Sequence, residues 1–162
     1  MIGDPRLIVA LDLPNRALAS AMVERLGDAA GALSFADQAV ALAPEEPRAA
    51  TGRGVALDML GRHSEAQQCY RDVLARSGGD RAARNDLALS LALSGKYDEA
   101  VATLAPLALS SDAGPQLRQN LAVIYGLQED SARAEKLSRI DLDEMAAAEN
   151  LALFARLHVA SP

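Results

Sequence analysis

Aromatic side chains are scarce in this chain of 162 residues, at 3% of positions, with no Trp, three Tyr and two Phe. Half the residues are nevertheless apolar, so any core must be built from Leu, Val and Ala. Cysteine is limited to Cys69, which excludes an intramolecular disulfide and leaves the redox compartment unread. Basic residues are outnumbered, 16 Lys and Arg against 22 Asp and Glu, and they form no stripe. That balance argues against nucleic acid, whose binding rewards clustered cations with counterion release. The two histidines, His63 and His158, are too far apart in sequence to suggest a metal site without more ligands. No apolar run reaches the roughly 18 residues of a membrane-spanning helix, and no low-complexity tract or long polar linker divides the chain.

What is present includes one motif that invites a false reading. Gly95-Lys96 stands between two apolar runs, as in a phosphate-binding loop. Such a loop needs G-x-x-x-x-G-K and then Ser or Thr, because several backbone N–H groups wrap the phosphates and the hydroxyl reaches magnesium. Here Ser90 replaces the first Gly and Tyr97 follows the Lys. The preceding run, Leu87 to Leu93, has few β-branched residues and reads as helix rather than strand. The pair therefore reads as a corner between helices.

Copies of that corner support this reading. "LALSGKYDEA" (91–100) lies without gaps over "LDMLGRHSEA" (57–66) and "VERLGDAAGA" (23–32), and forwards over "YGLQEDSARA" (125–134). Gly27, Gly61 and Gly95 share a column that Glu129 breaks, so that corner is expected to be strained or reshaped. Ala32, Ala66, Ala100 and Ala134 share another, where closely crossing helices admit only a small side chain. Ser20, Gly54, Ala88 and Ala122 form a second small column, and Val23, Leu57, Leu91 and Tyr125 a large one, both on the buried stripe of each first helix.

A gapless period of about 34 resembles the tetratricopeptide repeat, a helix–turn–helix solenoid. The resemblance implies an all-α fold: a right-handed α-α superhelix of about four helix pairs with a C-terminal capping helix. The units fall at 13–46, 47–80, 81–114 and 115–142. First helices are expected at 14–26, 47–59, 81–93 and 115–127. Second helices are expected at 29–42, 63–76, 97–109 and 131–140. Pro106 is expected to kink the third of these or end it early, since its ring removes an N–H and crowds the carbonyl of Ala102. Residues 143–162 hold an amphipathic helix whose Leu151, Phe154 and Leu157 should cover the last unit. Residues 1–12 read equally as a tail, part of a helix or a small cap.

No catalytic constellation stands out. Cys69 reads as a small, buried or half-buried apolar residue. A catalytic thiol needs a nearby His, and His63 is six residues away at a variable helix start. The acidic residues are dispersed, and those near helix starts suit the helix dipole. The expectation is a non-enzyme with no cofactor and no metal.

Function then falls to surface. By the same resemblance the first helices line the inner groove, with exposed positions at the fifth, ninth and thirteenth places of each unit, among others. The fifth are Ala17, Thr51, Asn85 and Gln119; the ninth Ala21, Val55, Leu89 and Val123; the thirteenth Arg25, Met59, Leu93 and Leu127. The Lys and Asn of the clamp that holds a C-terminal carboxylate are missing. In their place stands an apolar double row, Val55, Met59, Leu89, Leu93, Val123 and Leu127, bordered by Asn85, Gln116, Gln119 and Asn120. Such a groove suits an amphipathic helix or an apolar extended segment of a protein partner. Two other readings stay open: the row is covered from within, for instance by "RLIVAL" near the N-terminus, or it makes a homodimer. Asn120 is either a groove residue or a strut to the neighbouring helix.

A closer likeness runs over residues 48–157. Arg84-Asn85, Pro106, "RQNLA" (118–122) and "NLA" (150–152) with Phe154 resemble features of the TadD proteins of the tight-adherence (Flp) pilus system. The resemblance implies a pilus-assembly factor that assists the outer-membrane secretin. It implies a periplasmic, outer-membrane-associated location if a lipid signal stands upstream of Met1, and a cytoplasmic one otherwise, because Cys69 lies mid-helix.

Overall fold

The computed structural model describes the backbone of residues 29–159 and the side chains of residues 29–150 and 152. Expectations for residues 1–28, including the N-terminal segment, the first helix and the corner at Gly27, lie outside these, as do the side chains of Leu151, Phe154 and Leu157.

Eight helices and no strand occur among the described residues: α1 (Ala29–Leu42), α2 (Pro47–Met59), α3 (His63–Arg76), α4 (Arg81–Leu93), α5 (Tyr97–Ala108), α6 (Pro115–Leu127), α7 (Ser131–Asp141) and α8 (Glu144–Val159). Local chemistry sets their ends. Pro47 and Pro115 open α2 and α6, where a missing N–H costs nothing. Asp80, Asp130 and Asp143 each accept from a backbone N–H three residues on, at 2.9, 3.0 and 2.8 Å.

The corners after α2, α4 and α6 share one hydrogen-bond pattern. Arg62, Lys96 and Asp130 each donate their backbone N–H five residues back, to Leu57, Leu91 and Tyr125, at 2.9 Å. Gly61, Gly95 and Glu129 donate three residues back, at 2.9, 3.0 and 3.2 Å. This double closure requires a left-handed residue at its centre. Gly61 and Gly95 supply it at φ 73° and 78°, and Glu129 is forced into the same region at φ 67°. The corner keeps its shape and carries the strain that a side chain brings there.

Each helix packs on its sequence neighbours, and α2, α4, α6 and α8 also touch in series. Ala32, Ala66, Ala100 and Ala134 are all buried at crossings. Gly54 shows why its column is small: a Cβ there would lie 2.5 Å from Cε1 of the buried Tyr70 ring. Leu57, Leu91, Leu104, Leu121 and Ile124 fill the continuous core.

Pro106 stands inside α5, and of the expected kink or early end it is a slightly early end that follows. The proline does not interrupt α5, which continues to Ala108 and closes with Leu109 N–H on the Ala105 carbonyl at 3.0 Å. Pro106 and Ala102 both lie on the exposed side of α5, where water can satisfy a carbonyl that loses its helical partner. The helix ends two residues later, one short of the expected boundary.

Candidate functional site

The inner row is formed by α2, α4 and α6, with α8 next in line. Its fifth, ninth and thirteenth positions do not behave alike. Thr51, Val55 and Met59 on α2 are half-buried, as are Leu89 on α4 and Gln119 and Leu127 on α6. Asn85, Leu93, Asn120 and Val123 are buried. The expected open double row is corrected accordingly. Leu93 and Val123 are core residues, exposed by only 4% and 7%, and Leu89 and Leu127 lean on the same core cluster. What remains partly accessible is a strip on α2, spaced by one turn through Thr51, Val55 and Met59, together with Leu89 on α4 and Gln119 and Leu127 on α6.

The polar border is largely committed within the molecule. Asn120 donates Nδ2 to Oδ1 of Asn85 at 2.8 Å, and Asn85 donates its own Nδ2 to Asp86 at 3.2 Å. Asn120 is therefore a strut between α4 and α6. Gln119 donates to the Asp141 carboxylate at 3.4 Å and accepts from Asn150 of α8 at 3.5 Å. Arg118 grips Asp141 with two N–H groups, at 2.8 and 2.5 Å, and donates a third to the Ala113 carbonyl. The Arg118 hydrogen bonds hold the Asp141 carboxyl below its usual range, against the opposing effect of burial. Arg84 donates to the Gly78 carbonyl at 2.7 Å. Arg84, Arg118, Gln119, Asn120 and Asn150 thus tie helices and loops together.

One buried polar cluster lies outside the expected sites. The Asp58 carboxylate, 5% exposed, accepts Tyr70 OH at 3.0 Å and Ser90 Oγ at 2.7 Å, and pairs with His63 Nδ1 at 2.8 Å. It joins α2, α3 and α4. Burial, then the Asp58 charge, pushes the Tyr70 phenol well above its ordinary value. Serine and histidine share the same carboxylate oxygen here, Oδ1. With Ser90 fully buried, the cluster offers no nucleophile–base relay to a substrate. A partial signal did exist in sequence: Ser90 stands in the column of Ala56 and Ile124, whereas Asp58 shares its column with Glu24 as well as with Ala92 and Gly126.

Cys69 is buried, as read. Its polar neighbour is Arg53, whose Nη1 lies 3.2 Å from Sγ while its Nε holds Asp37 of α1 at 2.6 Å. His63 is turned to Asp58 instead. Among the described residues no group of three or more His, Cys, Asp or Glu is placed to hold a metal ion.

The family model described as tetratricopeptide repeat matches residues 59–124, from the end of α2 into α6. The fold is a tetratricopeptide-repeat solenoid. Uncharacterized protein y4yS of Sinorhizobium fredii is 35% identical over 68 residues. That match covers 42% of this chain and 37% of the relative, so the chain spans well under half of that protein. Stacked helical repeats of this kind present extended surfaces. No helix among the described residues is long and apolar enough to cross a membrane.

Proposed function

We propose that this protein is a non-catalytic adaptor that holds an apolar helix or extended segment of a partner against the inner row of its second and third units. The observation that carries this reading is the half-buried strip of Thr51, Val55 and Met59 on α2 with Leu89 on α4. Apolar side chains left partly in water on a scaffold's inner face gain by being covered, at about 25 cal/mol for each Å² removed from water. The occupant's chemistry follows from the strip: aliphatic anchors one helical turn apart, with few polar groups left over to read a charged terminus.

The finer reading places the adaptor in assembly of the tight-adherence (Flp) pilus, with the outer-membrane secretin as partner and the periplasmic face of the outer membrane as location. It rests on the likeness of residues 48–157 to TadD proteins. The residues behind that likeness make the ties of Arg118, Gln119 and Asn120, so they speak for a shared architecture more than for a shared ligand.

The test uses Val55→Asp and Leu89→Asp, singly and together, at half-buried positions. Secretin and other pilus components are captured from cell extract on the wild type and the variants, and the pure proteins are sedimented. Capture of secretin by the wild type, lost by at least tenfold in the double variant with helicity unchanged, supports both readings. Capture of a different protein by the same strip retains the adaptor and removes the pilus assignment. A wild-type dimer that the variant converts to monomer assigns the strip to self-association instead.

A further inference from the structure

We draw no further inference here: the strongest candidate, the cleft of about 400 Å³ between the N-terminal ends of α4 and α6 lined by Arg81, Asn85, Asp86 and Gln116, opens from the inner row already described, and its buried amide, Asn85, is engaged by Asn120 and Asp86.

Discussion

The side-chain amide of Asn120 on α6 reaches back 35 residues to donate to Asn85 on α4 at 2.8 Å, and both amides are buried. The third unit is thereby tied to the fourth by a bond that the helix pattern alone does not require. Asn85, expected on a ligand-binding border, and Asn120, read as either a border residue or a strut, are both spent on holding the solenoid together.

Losing one member of this pair should cost more than the bond itself is worth. Asn120→Ala leaves Asn85 Oδ1 without its donor, and an unsatisfied buried polar group costs about 1–3 kcal/mol. Urea unfolding of Asn120→Ala, Asn85→Ala and the double variant forms a cycle. The double variant should lose clearly less than the sum of the singles. Strict additivity would show that the two amides are not coupled.

Glu129 and Gly95 occupy equivalent corners with φ 67° and 78°. A side chain costs roughly 1–2 kcal/mol in that region. Glu129→Gly should therefore raise stability by about 1 kcal/mol, even though glycine usually weakens a protein through its unfolded state. Gly95→Ala should lower it by about the same amount, and by conformation alone, since nothing lies within 4 Å of the added Cβ. Thermal melts of the two variants should move in opposite directions.

Gly54 and Gly52, two residues apart on α2, give a second opposed pair. An added Cβ at Gly54 meets Tyr70 Cε1 and Cζ at 2.5 and 2.7 Å. That ring cannot swing aside without breaking its bond to Asp58. Overpacking of this kind costs about 1–3 kcal/mol. At Gly52 nothing lies within 4 Å, so alanine only removes chain entropy and should stabilise by about 0.5–1 kcal/mol. A destabilised Gly52→Ala would mean that α2 packs differently on that side.

Acid should weaken the fold through its paired carboxylates. Asp141 is lowered by the Arg118 hydrogen bonds, Asp130 by its bonds to Arg133, and Asp112 by Ser110 and Arg81. A lowered folded-state value means that the unfolded chain takes up protons first as pH falls. The stabilisation is then complete above the unfolded carboxyl value of about 3.9 and is lost as pH drops through the lower folded values. Through these carboxylates urea midpoints should fall as the pH drops below 4. Asp141→Asn should be less stable at pH 7 and show a shallower fall, because one of the titrating groups is gone. A fall as steep as that of the wild type would place the acid sensitivity elsewhere.

The helices from residue 29 onward, and their corners, are written in local sequence. Helix bounds follow from a strict period, from Pro, Asp and Gly at the ends, and from small residues at crossings. These are local effects that act within a few residues and recur every 34 or so. The demand on the corner at Glu129 was legible for the same reason, because three aligned glycines in one column showed what that place favours, and the structure decided for a strained corner over a reshaped one. Other features depended on distances between elements, which periodicity does not encode. Leu89 and Leu93 sit one turn apart on the same helix, yet Leu93 is in the core and Leu89 is half out of it, because burial depends on what the neighbouring helices bring. Asp58, His63, Tyr70 and Ser90 lie on three helices, and only stacking of the units brings them to one carboxylate. The role of Asn120 was likewise decided in three dimensions: a buried amide takes the partner within reach, and the solenoid's pitch sets Asn85 at 2.8 Å.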